Sequence, residues 1–230
     1  MSHIIYDPRN PGGIPQIKGV LFDMDGVLLD TEVLYKRFWM AACHFYGYPM
    51  TQLQALQMRS IGEKDGTAKL RGWFGESVDY HQVRNKRIEL MDAFIEKEGV
   101  IVKPGAFELL AFLKEAGIRT AVATSSPLER AKAHLSSVGL EAFFDAICSG
   151  RQVENPKPAP DIYRYAAQKL GLKPEQCLAL EDSPAGIESA FRAGCFPVMV
   201  PDLDQPDEIT RSRLYAKCDS LSDVIVLLTQ

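Results

Sequence analysis

An apolar run, Gly19-Val20-Leu21-Phe22, stops abruptly at Asp23-Met24-Asp25-Gly26. A short continuous apolar run bounded by a turn signal suits a strand buried on both faces. Successive strand side chains point to opposite faces, so Asp23 and Asp25 share a side if the strand continues, and at its end both can turn into the crevice above the sheet. Two adjacent acids repel unless a cation or a proton stands between them. An Asp-Gly turn explains one aspartate and the glycine. It leaves the second acid unexplained.

Downstream, the periodicity changes twice. Leu34, Phe38, Ala41 and Phe45 recur at three- and four-residue steps until Gly47, which predicts a helix. A second helix with Leu53 and Leu56 is expected to start at Pro49. A glycine-punctuated stretch (Gly62, Gly66, Gly72, Gly75) and a long helix over about 77–98, ending at Gly99, complete an all-helical region. From Pro104 strands and helices alternate: helix 106–116, strand 119–123, helix from Ser126-Pro127 to Gly139, strand 146–148, helix 162–170, strand 177–180, a helix capped by Ser183-Pro184 and ended by Gly194, and strand 196–200. The tail holds an acidic loop and a last apolar segment, 224–228. Residues 1–17, with three prolines and Gly12-Gly13, are expected to be an irregular lead-in. Alternation of this kind implies a parallel sheet with helices on its faces. The expected organisation is an α/β core from 1–31 and 104–230, with a helical insert at 32–103.

The chain's 230 residues, 46% of them hydrophobic, suffice for a sizeable core. A net charge of −4 with no basic cluster argues against nucleic acid as a partner. Five scattered cysteines without Cys-x-x-Cys spacing suit reduced thiols in a cytoplasmic protein. Neither a signal-peptide layout nor a membrane-length apolar run is expected. A monomer or weak homodimer is the expected state.

In parallel sheets ligands bind beyond the carboxyl ends of the strands. Asp23, Asp25, Thr124, Glu181 and Asp182 all fall at such ends. The carboxylates of Asp23 and Asp182, with Glu181, offer an all-oxygen donor set that suits Mg²⁺, which is commonly completed by water and substrate phosphate. Thr124 and the backbone N–H groups that follow it, from Ser125 onward, open a helix, a favourable place for phosphate oxygens. Lys157, between Pro156 and Pro158, can neutralise a phosphate oxygen and a neighbouring carboxylate. Two close acids can divide the work, one attacking phosphorus and the other moving the proton. Tyr35, Phe38 and Trp39, at helical spacing, are expected in a core. His44, His81 and His134 receive no role.

These residues resemble the haloacid dehalogenase superfamily of phosphotransferases over about 18–223. Asp-Met-Asp-Gly-Val at 23–27 resembles its first motif, and Thr124 after an apolar strand its second. Lys157 in Asn-Pro-Lys-Pro-Ala-Pro-Asp resembles its third, and Glu181-Asp182-Ser183-Pro184-Ala185-Gly186 its fourth. The insert resembles the helical cap of the β-phosphoglucomutase-like subgroup. The resemblance implies Asp23 as nucleophile and metal ligand. It implies Asp25 as general acid/base, with its carbonyl on the metal. Thr124 and Lys157 are implied to hold the phosphoryl group, and Asp182 with Glu181 to hold Mg²⁺. The second aspartate separates this chain from the dehalogenase branch.

Within that subgroup the mutases carry a histidine where this chain has Tyr35. They also carry a lysine-glycine pair with an arginine three residues after the glycine, where this chain reads Ile61-Gly62 and Asp65. An aspartate there would repel the second phosphate of a bisphosphate. The expected activity is therefore Mg²⁺-dependent hydrolysis of a small phosphorylated metabolite, a sugar phosphate in the first instance. A sugar-phosphate mutase is the alternative, and a non-catalytic sugar-phosphate-binding module a more distant one. Arg59 and Lys64 are the candidate substrate contacts in the cap.

Overall fold

The structure is a computed structural model that describes His3–Ile4 and residues 16–59 and 61–229. The rest of the expected N-terminal lead-in lies outside those residues. The chain divides into two compact units, Met1–Leu29 with Ile101–Gln230, and Asp30–Val100.

The first unit is built on a seven-stranded sheet in the order β1-β7-β6-β5-β2-β3-β4. Its strands are β1 (His3–Ile4), β2 (Gly19–Phe22), β3 (Arg119–Thr124), β4 (Ala146–Ser149), β5 (Cys177–Glu181), β6 (Phe196–Met199) and β7 (Ala216–Lys217). All neighbours pair in parallel except β1 with β7. The centre is β2, which pairs with β3 on one side and β5 on the other, so that Phe22 faces both Val122 and Leu180. All four β2 residues are buried, as a central parallel strand requires. The short outer strands β1 and β7 carry too little pattern to stand out in the sequence.

Helices α5 (Ala106–Glu115), α6 (Leu128–Ser137), α7 (Asp161–Lys169), α8 (Pro184–Ala193), α9 (Glu208–Arg211) and α10 (Leu221–Leu228) belong to this unit. One layer of the core joins Leu21, Ala121, Ala123 and Ala179 of the sheet to Ile162, Tyr163, Ala166 and Ala167 of α7. The sheet residues there are mostly alanine, which leaves room for the large ring of Tyr163. The helix α8 begins as its sequence predicts. Ser183 Oγ accepts from the Gly186 N–H at 3.1 Å, Pro184 takes the first helical position, and Gly194 closes the helix in a left-handed conformation.

The second unit is helical throughout: α1 (Glu32–Phe45), α2 (Gln52–Leu56), α3 (Glu63–Phe74) and α4 (Tyr80–Glu98). Trp39, Cys43, Met50, Met58, Leu70 and Tyr80 form its core. The helix α2 starts at a Thr51/Gln54 capping box rather than at Pro49, and α4 at Asp79, whose carboxylate accepts from His81 and Gln82. The glycine-punctuated stretch is mostly helix, with Gly66 and Gly72 inside α3. Gly66 is there because Tyr80 crosses it closely, and a Cβ would stand 2.6 Å from the ring. Among the described residues no helix is long and apolar enough to cross a membrane.

Candidate active site

Four chain segments meet at the carboxyl ends of β2, β3 and β5. The ladder runs one residue beyond β2, where the Asp23 N–H donates to the Leu180 carbonyl at 2.9 Å. The chain then doubles back. Gly26 adopts φ +88°, a conformation that favours glycine, and its N–H donates to the Leu29 carbonyl at 2.8 Å. The N–H groups of Leu28 and Leu29 both donate to the Met24 carbonyl. This loop fixes the two aspartates against different partners.

Asp23 is buried and meets Lys157, whose Nζ lies 2.5 Å from its Oδ1. The same ammonium donates to Glu181 Oε1 at 2.6 Å and to the Ala123 carbonyl at 3.0 Å. All three donors of the lysine are thereby directed. Asn155 anchors the base of the lysine loop, its backbone N–H and side-chain amide both donating to Asp161 at 3.1 Å.

Asp25 accepts instead from the Ser126 hydroxyl at 2.9 Å. Ser126 is held on every polar group. Its N–H donates to Thr124 Oγ1 at 3.0 Å and its carbonyl accepts from the Ser149 hydroxyl at 2.6 Å. Its expected role as a helix cap is corrected here, since α6 begins after Pro127 with no side-chain cap. The Ser-Pro-x-Glu pattern is local, and the half-buried carboxylate of Asp25 is the better partner for the hydroxyl.

Glu181 is fully buried. Its Oε1 accepts from both Lys157 and the Tyr163 hydroxyl, each at 2.6 Å, and its Oε2 accepts from Ser183 at 3.2 Å. The first turn of α8 lies against this carboxylate so closely that a Cβ on Gly186 would sit 1.9 Å from it. Carboxylate oxygens of Asp23, Glu181 and Asp182 all lie within 4.8 Å of one another.

Burial raises the Asp23 pKa well above the usual carboxylate value; Lys157 pulls it down, and Glu181 and Asp25 push it further up. Burial alone would lower the lysine, but the Asp23 and Glu181 carboxylates outweigh it and hold Lys157 charged. Burial, with Glu181 and Asp23 adding to it, keeps the Tyr163 hydroxyl protonated and hence a donor.

Of the residues singled out in the sequence, Asp23, Asp25, Thr124, Lys157, Glu181 and Asp182 come together here, and Ser125 is exposed beside them on the loop after β3. Arg59 and Lys64 belong to the helical unit. Arg59 is buried and ion-paired with Glu32, and Lys64 is exposed in the first turn of α3. Sequence reasoning missed Tyr163 and the bonds of Ser126 and Ser149. A tyrosine within the buried stripe of α7 is a usable signal, because a buried phenol needs a partner.

A family model described as haloacid dehalogenase-like hydrolase matches residues 17–194. A phosphorylated carbohydrates phosphatase from Thermotoga maritima is 35% identical over 77% of this chain and 82% of its own length. Hexitol phosphatase A from Escherichia coli is 34% identical over 85% of this chain and 91% of its own length. The structure of CbbY from Rhodobacter sphaeroides in complex with xylulose-1,5-bisphosphate superposes with a TM-score of 0.73 at 28% identity, covering 90% of this chain and 96% of that one. The family match and these relatives cover more than three quarters of the chain, which belongs to the haloacid dehalogenase-like hydrolases.

Proposed function

We propose that the chain hydrolyses a small phosphomonoester, a sugar phosphate or sugar-alcohol phosphate, through an aspartyl-phosphate on Asp23. One observation carries this reading. A buried aspartate at a strand end is held by an ammonium that also touches a second carboxylate, while a separate aspartate two residues on is held apart by a serine. In this reading the first is the nucleophile and the second the proton carrier.

In the first half-reaction Asp23 attacks phosphorus, the ester P–O bond breaks, and Asp25 gives its proton to the leaving oxygen. In the second, Asp25 takes a proton from water as that water attacks phosphorus, and the carboxylate of Asp23 leaves. Lys157 stays charged and faces the attacked group. Thr124 Oγ1 accepts from the Ser126 N–H, so its own proton is available to a phosphoryl oxygen. Ser125, on the same loop, adds a backbone N–H.

The donor set fits Mg²⁺. Three carboxylates lie close enough to share a cation, all donors are oxygen, and Glu181 Oε2 retains a lone pair. Asp23, Asp182 and Glu181 would hold the ion, with the Asp25 carbonyl beside them. When bound it would offset the repulsion between the attacking carboxylate and the phosphate. The carbohydrate class rests on the relatives named for phosphorylated carbohydrates and hexitols. For the helical unit, we assign substrate contact to Lys64 and Arg59. Lys64 presents an exposed ammonium, and Arg59 would have to share its guanidinium with Glu32.

A panel of sugar and polyol phosphates assayed with Mg²⁺, with hexose 1- and 6-phosphate interconversion followed in parallel, tests the proposal. Phosphate release should stop with EDTA and fall at least about 10³-fold in Asp23→Asn. An inert wild-type protein would overturn it. Interconversion with little phosphate release would replace it with the mutase.

A further inference from the structure

We propose that Tyr163 is a positioning residue of this site, acting through Glu181 to fix which of its carboxylate oxygens serves Lys157 and which serves a cation. The inference rests on the function proposed above only for what the site does, and not for how the carboxylate is held.

Tyr163 lies on α7, outside all four motifs, and is fully buried. Its hydroxyl donates to Glu181 Oε1 at 2.6 Å, the oxygen that also receives Lys157 at 2.6 Å. A carboxylate oxygen has about two lone-pair sites, so Oε1 is saturated. Oε2 accepts one longer bond, 3.2 Å from Ser183, and keeps a site open. Gly186 lies against the carboxylate as a whole, leaving no room for a Cβ, so the asymmetry between the two oxygens comes from their hydrogen bonds. The tyrosine also lies beneath the ammonium, with Lys157 Nζ 5.1 Å from the ring centroid. The ring and the hydroxyl therefore do separate things. The ring supports the lysine, and the hydroxyl holds Oε1 beside the lysine while the longer Ser183 bond holds Oε2. Without the hydroxyl, Oε1 has an empty site in a buried place and the carboxylate can rotate to share its charge differently between lysine and cation.

Partners that orient a metal-holding side chain typically change metal affinity or activity by about 10–100-fold when removed. Tyr163→Phe keeps the ring and removes only the hydroxyl. The probe is Mn²⁺, with binding measured by electron paramagnetic resonance on the full chain and turnover measured with p-nitrophenyl phosphate. Tyr163→Phe should weaken Mn²⁺ binding and lower kcat, each by about tenfold or more, with KM changed by less than about twofold. The double variant Tyr163→Phe/Glu181→Gln should bind Mn²⁺ no worse than Glu181→Gln alone, because the tyrosine acts through that carboxylate. Mn²⁺ affinity within about twofold of wild type in Tyr163→Phe would overturn the proposal, as would additive losses in the double variant or a Tyr163→Phe protein that no longer folds. Weakened Mn²⁺ binding alongside a wild type that turns over no phosphomonoester would leave Tyr163 in this role and remove the phosphatase.

Discussion

The helical unit and the strand ends of the α/β unit both bury charge, to different effect. The first buries Glu32 with Arg59 and Arg87. Arg59 meets Glu32, and Arg87 lies over the rings of Tyr35 and Trp39 at 4.9 and 5.4 Å. Those contacts are of the kind that hold helices together. At the strand ends, Asp23, Glu181 and Asp182 crowd around Lys157, and these four groups sum to −2 when ionised. In the helical unit an ion pair takes up one arginine and aromatic rings face the other. The strand ends instead hold a surplus of buried carboxylate, which favours a cation.

Removing Lys157 should strain this contrast most. Lys157→Met leaves Asp23 and Glu181 buried without their ammonium, and should lose about 3–5 kcal/mol of stability in urea unfolding with EDTA present. Added Mg²⁺ should return part of that loss. If stability is unchanged, the strand-end charges are not in tension. Next in size, Arg59→Met should cost about 3 kcal/mol by removing the buried ion pair with Glu32, and the double variant Glu32→Gln/Arg59→Met should recover most of it. Mg²⁺ should have no effect on either. A response to Mg²⁺ there would erase the distinction between the two regions.

The smallest effect should be common to both. Burial pushes the thiols of Cys43 in the helical unit and Cys177 in the α/β unit up to about 12, the latter with help from Glu175. An unfolded thiol ionises near its ordinary value, so the neutral form is favoured by folding. The contribution is fully present below about pH 9 and is lost as pH rises from there toward 12. Urea midpoints should fall between pH 8 and pH 10, and native thiols should react with Ellman's reagent far more slowly than denatured ones. Equal reactivity in the two states would contradict the burial of all five cysteines.

Much of the α/β unit was legible because its signals are local. An apolar run ending in acids marks β2, and Ser183-Pro184 with Gly194 brackets α8. The convergence of Asp23, Thr124, Glu181 and Asp182 followed from strand ends, whereas Lys157, on a loop, was expected from the charge it could neutralise and from the family resemblance. What escaped was what partners decide. Ser126 reads as a cap until Asp25, 101 residues away, claims its hydroxyl. Tyr163 reads as core because helical spacing reports burial and not the bond at the end of the ring. Gly66 and Gly72 read as breaks, yet α3 runs through both, tolerating Gly66 where Tyr80 needs the space. The last helix, α10, is so evenly apolar that its sequence does not announce a period.

The central strand is synthesised well before either of its neighbours. β2 is complete at Phe22, but β3 follows only from Arg119 and β5 from Cys177. At about 5–20 residues per second, one edge of β2 waits roughly five to twenty seconds on the ribosome for its first neighbour, and the other edge longer still. The helical unit is made whole during that wait. An apolar strand with both edges open is an invitation to other chains, and Asp23 and Asp25 at its tip carry the like charges that discourage such pairing. The two aspartates proposed above to divide the chemistry would thus, for those seconds, also guard the strand against aggregation.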